Sequence, residues 1–112
     1  MFGYQAEVDG SDRNWSGGLY DEGRRGWIHP KKPIVNPYND EHWKKNRSGA
    51  FKRSDWNHYK IRCLREHIQI WVNGIKTTDL KDSTDAKGFI AIQHHGEKGQ
   101  VYRFKNIKIL EL

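Results

Sequence analysis

At 112 residues the chain has room for at most one domain, and with 35% hydrophobic residues it can bury only a thin core. No apolar run approaches the length of a membrane-spanning helix, and no secretory signal opens the chain. The net charge of +6 invites an anionic partner, but the cations (Lys31-Lys32, Lys44-Lys45, Lys52-Arg53, Lys105, Lys108) form no stripe or motif, so nucleic-acid binding is not expected.

Aromatic residues reach 12% and favour sheet over helix. Residues Phe2 to Val8 alternate and predict a first strand, closed by the turn Asp9-Gly10-Ser11-Asp12. Trp15 to Tyr20 reads as a short strand in which Gly17 and Gly18 permit close backbone approach. Asp21 to Trp27 reads as a charged, glycine-punctuated loop. From Ile28 to Ser48 three prolines and mixed charges predict a long ordered loop, with one helical turn at Asp40–Lys44 capped by Asn39. A β-meander follows: Trp56 to Cys63, then Glu66 to Asn73 after a tight Leu64-Arg65 connection. Asn73-Gly74 signals a type I′ hairpin into Ile75 to Leu80. Phe89 to His95 and Val101 to Leu110 are expected as the last two strands, with a bulge near Asn106 where the apolar phase changes. Cys63, the only cysteine, alternates with Ile61 and Tyr59 and is expected as a core thiol.

Short strands at close spacing with glycine turns predict an all-β antiparallel sandwich. About six strands are visible where a jelly roll has about eight. Residues 1–112 are therefore expected to form a single partial domain lacking its N-terminal strands. Three strands share one layout. Tyr4-Gln5-Ala6-Glu7-Val8, Ile68-Gln69-Ile70-Trp71-Val72 and Ile90-Ala91-Ile92-Gln93-His94-His95 alternate core residues with amide, acid, indole or imidazole. Such a polar-aromatic face suits a sugar-like ligand.

Five blocks in order carry a family resemblance. They are Gly3-Tyr4-Gln5-Ala6-Glu7-Val8-Asp9; Trp15-Ser16-Gly17-Gly18-Leu19-Tyr20-Asp21-Glu22 with Arg24-Arg25-Gly26-Trp27; Asp55-Trp56-Asn57-His58-Tyr59; Trp71-Val72-Asn73-Gly74; and Gly88-Phe89-Ile90-Ala91-Ile92-Gln93 with His95-Gly96. With the ending Arg103-Phe104-Lys105-Asn106-Ile107-Lys108-Ile109, they resemble the 3-keto-disaccharide hydrolase domain, a family long labelled a domain of unknown function. The resemblance implies a concanavalin-like jelly roll, extracellular or periplasmic in the full-length family member, acting in bacterial carbohydrate breakdown. It covers the C-terminal portion of that domain.

The substrate class so implied is a glycoside whose sugar ring bears a ketone. The ketone acidifies the neighbouring C–H, and a base can remove that proton so that the adjacent anomeric carbon expels its aglycone. Hydrolysis and β-elimination both begin this way, without the paired carboxylates of ordinary glycosidases. Glu7 is the first candidate base, or else a strand glutamate paired with Arg24 or Arg25. His95 is the second, because imidazole is the side chain suited to proton transfer near neutral pH, or else a strand-end histidine bonded to backbone. Arg24 could polarise the ketone, with Asp21 and Arg25 beside it, or Asp21 and Arg24 could pair to hold their loop. Gln5, Tyr20, Gln69 and Gln93 are candidate sugar ligands. Trp71 is a candidate stacking platform or a packing residue. A divalent cation would stabilise an enolate, but the acidic residues show no calcium-loop spacing and His94-His95 cannot readily grip one metal. The competing readings are a non-catalytic carbohydrate-binding module and an inactive truncated product whose strand edges promote oligomers.

Overall fold

The computed structural model describes residues 1–11, 14–31, 50–96 and 98–112. The helical turn expected at 40–44 lies outside them. The described residues contain no helix. Their six strands are β1 (Gly3–Ala6), β2 (Leu19–Glu22), β3 (Gly26–His29), β4 (Tyr59–Leu64), β5 (His67–Val72) and β6 (Ile75–Lys81). They form two antiparallel sheets of three strands, ordered β1-β2-β3 and β4-β5-β6. This is the expected all-β class, compatible with a β-sandwich.

In the first sheet, Tyr4 lies opposite Asp21, Gln5 opposite Tyr20 and Ala6 opposite Leu19. Two sequence boundaries move. Trp15 to Gly18 form the turn that delivers the chain to β2, and β2 continues through Asp21 and Glu22. The stretch read as a loop is a tight reversal at Gly23-Arg24-Arg25 followed by another strand, β3. Gly23 and Gly26 take φ of 73° and 72°, which glycine adopts without the steric cost other residues meet. The charge pattern hid these strands because Asp21, which reads as a loop residue, has a fully buried side chain.

The second sheet is the predicted meander. Asn73 (φ 50°) and Gly74 (φ 81°) supply the paired positive φ of the β5–β6 hairpin, and Arg65 (φ 54°) turns β4 into β5. Ile68, Ile70 and Val72 point inward and are buried. Ile68 and Ile70 meet Leu19 of the first sheet, with Tyr4, Ala6, Ile28, Tyr59 and Leu80 packed around them. Polar ties close the layers. The hydroxyls of Thr77 and Thr78 donate to the Gly17 carbonyl at 2.8 and 2.7 Å, and Tyr59 Oη donates to the Glu7 carbonyl at 3.0 Å.

Three expectations fail against this core. Phe89 to His95 and Val101 to Leu110 are not strands, and their apolar rows are open, with Ile90 78%, Ile92 54% and Ile109 71% exposed. Alternation prepares a segment for a sheet, but a strand exists only where a neighbour takes its N–H and C=O groups. Asn106 does have an unusual backbone, with φ of 54°, at the position expected for a bulge. Cys63 is exposed rather than in the core. Its side is the correct one, since it lies opposite Ile68, but β4 is the edge of its sheet and Ile61 beside it is also 53% exposed.

Candidate functional site on the outer face of the first sheet

Because Tyr4, Ala6 and Leu19 face the core, strand alternation turns Gln5, Glu7 and Tyr20 to the outer face. Tyr20 lies opposite Trp27, so one row crosses all three strands as Gln5, Tyr20, Trp27. Alternation sends Ile28 to the core while Trp27 stays outside, and the irregularity between Leu19 and Tyr20 leaves His29 opposite Leu19. Trp27 stacks on Trp15 with centroids 4.1 Å apart and planes 20° from parallel, and meets Tyr20 edge-on at 5.1 Å. Gly18 makes room for this: a Cβ there would come within 2.9 Å of the Trp27 ring.

Glu7 is fixed beyond the end of β1. Its N–H donates to the Gly18 carbonyl at 3.0 Å, and its carbonyl accepts from Gly17 N–H at 2.9 Å as well as from Tyr59 Oη. Burial is the main cause pushing the Tyr59 hydroxyl well above its ordinary pKa, so it remains a donor there. Gln5 Nε2 donates to Glu7 Oε2 at 2.7 Å. That bond orients the amide and leaves Gln5 Oε1 buried without a hydrogen-bond partner among the described residues. A buried acceptor left unmade costs about 1–3 kcal/mol, so a donor from a bound ligand has something to gain there. The half-buried Gln5, Glu7, Tyr20 and Trp27 thus set a carboxylate, a phenol and an indole on one face, with the Gln5 acceptor buried beneath it.

Asp21, Arg24 and Arg25 are placed elsewhere. Asp21 shares the inner face with Tyr4, and its carboxylate accepts from Arg24 Nε at 2.8 Å and from Arg25 Nε. Arg24 also binds Asp85 at 2.7 and 3.0 Å. Arg25 forks onto Asp82 at 2.7 and 3.1 Å, and Tyr4 Oη donates to Asp82 as well. Burial pushes the Asp21 carboxyl upward, but hydrogen bonds from Arg25 and Arg24 outweigh it and hold the group below its ordinary 3.8. Asp82 is held low chiefly by its bond from Arg25. This network ties the β2–β3 turn to the segment after β6.

Gln69 and Trp71 are on the outer face of the second sheet, the far side of the molecule from Glu7, because Ile68, Ile70 and Val72 take the inner face. Gln93 and His95 are exposed in the segment after residue 86, and no described contact joins them to Glu7. The expected single surface is therefore divided. Gln5, Glu7 and Tyr20 are brought together, whereas Gln69 and Trp71 form a different face and the arginines a third place. The sequence reads Trp15 as part of a short strand and Trp27 as the end of a charged loop, and makes neither a site residue. The near-symmetry of Tyr20 and Trp27 about the Gly23-Arg24-Arg25 turn was the signal that could have joined them. Among the described residues no group of three or more His, Cys, Asp or Glu side chains gathers as metal ligands, and no helix is long and apolar enough to cross a membrane.

Fold and face together define a two-sheet, all-β domain with an acid–amide pair and aromatic rings across one outer sheet surface. The chain belongs to the 3-keto-alpha-glucoside-1,2-lyase-like domain family, which it matches over residues 1–110. That membership agrees with the resemblance carried by the five ordered sequence blocks. None of the curated proteins matches the chain.

Proposed function

We propose that the domain cleaves 3-keto-glycosides by abstracting the proton beside the ketone, with the outer face of the first sheet holding the sugar. Glu7 takes the proton from C2, and the released electron pair forms an enolate with the C3 carbonyl. Collapse of the enolate restores the ketone, forms a C1–C2 double bond and breaks the bond from C1 to the aglycone oxygen. The proton carried by Glu7 is then available to that departing oxygen. The product is a 2-hydroxyglycal ketone, and water adding across its double bond gives net hydrolysis.

The observation that carries this reading is the Gln5–Glu7 pair. One end of the amide is committed to the carboxylate, and the other is a buried acceptor that a sugar hydroxyl would satisfy. Such a contact would place the sugar within reach of the carboxylate. The Trp27 and Tyr20 rings on the same face offer apolar contact for the pyranose C–H groups.

The test is turnover of a 3-keto-glucoside by the Glu7→Gln variant, with product masses followed over time. General-base catalysis contributes about 10²–10⁴-fold, so kcat should fall by at least about a hundredfold while KM stays close to that of the parent. Gln5→Ala should raise KM instead. Undiminished turnover by Glu7→Gln would remove Glu7 from the chemistry. Saturable binding by the parent chain with no bond cleavage would make this face that of a non-catalytic carbohydrate-binding module.

A further inference from the structure

The outer face of the second sheet carries a grid of side chains that the proposed reaction does not use. Strand register sets Lys60, Trp71 and Lys76 side by side across β4, β5 and β6. The next row is Arg62, Gln69 and Asp79, and the last is Leu64, His67 and Lys81. With strands about 4.8 Å apart and same-face residues about 6.8 Å apart, the grid covers about 10 by 14 Å, enough for a short run of sugar rings.

Its charge is one-sided. Lys60, Arg62, Lys76 and Lys81 stand against the single carboxylate of Asp79. That carboxylate is already occupied: it accepts from Lys76 Nζ at 2.6 Å and Gln69 Nε2 at 3.1 Å, and lies 2.6 Å from His67 Nε2. These bonds, that from Lys76 foremost, hold Asp79 well below the usual carboxylate range, so it stays ionised and committed. Lys60, Arg62 and Lys81 have no carboxylate partner among the described residues; Arg62 reaches only the Gln69 amide oxygen, at 3.4 Å. Lys60 Nζ sits 4.9 Å from the centroid of the Trp71 ring. An ammonium over the indole obstructs flat stacking of a neutral sugar on that side, but welcomes a ring that brings its own carboxylate.

We infer that this face docks an acidic polysaccharide, with uronate carboxylates on Lys60, Arg62 and Lys81 and ring contact at Trp71. Nucleic acid is a poorer fit, because single strands are held by successive aromatic platforms and this grid has one, with an ammonium above it. The surface lies on the opposite layer from Glu7, so it stands whether or not the proposed reaction does.

The experiment measures equilibrium binding of the full chain to an oligogalacturonide, a neutral malto-oligosaccharide of equal length and a short DNA duplex. The oligogalacturonide should bind, more weakly as salt rises, and the neutral sugar should not. Lys60→Gln combined with Lys81→Gln removes two exposed ion pairs, a loss of up to about thirtyfold in affinity at the upper end of their usual strength. Lys98→Gln with Lys108→Gln changes net charge equally outside the grid and should leave affinity unaltered. Trp71→Ala should weaken binding without changing its salt dependence. The inference is overturned if the oligogalacturonide does not bind, if the duplex or neutral sugar binds as tightly, if both double variants lose affinity equally, or if Trp71→Ala has no effect.

Discussion

Changing Asp21 to asparagine keeps the size of the side chain and removes the charge on which Arg24 and Arg25 converge. Asp21 is fully buried, while the side chains of Arg24 and Arg25 are 22% and 41% exposed. Hydrogen bonds to charged groups contribute about 1.5–3 kcal/mol each, and removing one partner of a buried pair costs about 3–5 kcal/mol. Both arginines keep a second carboxylate, Asp85 and Asp82, and both reach water, so the lower part of these ranges applies: about 2–3 kcal/mol. Urea is the suitable denaturant because, unlike guanidinium, it does not screen charge. With a slope of about 1.5 kcal/mol per molar for a chain of this size, the midpoint should fall by about 1–2 M at neutral pH. Acid supplies the sign check. The folded carboxyl is held below its ordinary 3.8, so its stabilisation is present in full above that value and disappears as pH falls through the depressed one. The gap between parent and variant should therefore be widest near neutrality and narrow from about pH 4 downward. A neutral-pH shift below about 0.3 M with an unchanged slope, or a gap that widens in acid, would refute a charge-clamped turn.

Gly17 and Gly74 take similar positive φ, 85° and 81°, but a Cβ at Gly17 would meet Thr77 Oγ1 at 2.4 Å whereas one at Gly74 meets nothing within 4 Å. Gly74→Ala should lose only the backbone cost of about 1–2 kcal/mol, and Gly17→Ala at least about 2 kcal/mol more, read as the difference in their melting curves. Equal losses would mean that the contact between Gly17 and β6 is not tight. Tyr59→Phe removes the hydroxyl that holds the Glu7 carbonyl and should cost about 1 kcal/mol in urea unfolding. If Glu7 is the base, the same variant should lower kcat several-fold with little change in KM, whereas a purely structural bond would move stability alone. The Glu7 and Lys60/Lys81 substitutions described above complete the set.

Much of the local structure was legible in the residues themselves. The Asn73-Gly74 turn, the β4-β5-β6 meander and the shared face of Gln5 and Glu7 follow from turn chemistry and a side-chain period of two. The glycine pair at residues 17–18 announced a close backbone approach, and the structure puts Thr77 against one glycine and Trp27 against the other. Asp21 misled, because an acidic residue beside two arginines reads as a solvated loop until its partners surround it. The segments at 89–95 and 101–110 misled in the opposite direction: their alternation is sound, but the described structure gives them no neighbour to pair with.

Within a strand, the order of residues is enough to say which side chains share a surface, because successive Cβ atoms must point in opposite directions. It paired Gln5 with Glu7, Gln69 with Trp71, and Ile68 with Ile70. Which surfaces then lie together is settled by hydrogen-bonded registers between segments far apart in the chain and by which apolar rows meet. That choice turned Glu7 outward beside Gln5, sent Trp71 to the opposite layer and buried Asp21 beneath its partly exposed arginines. The lone polar-aromatic surface that alternation suggested is therefore two surfaces, separated by the core that both sheets share.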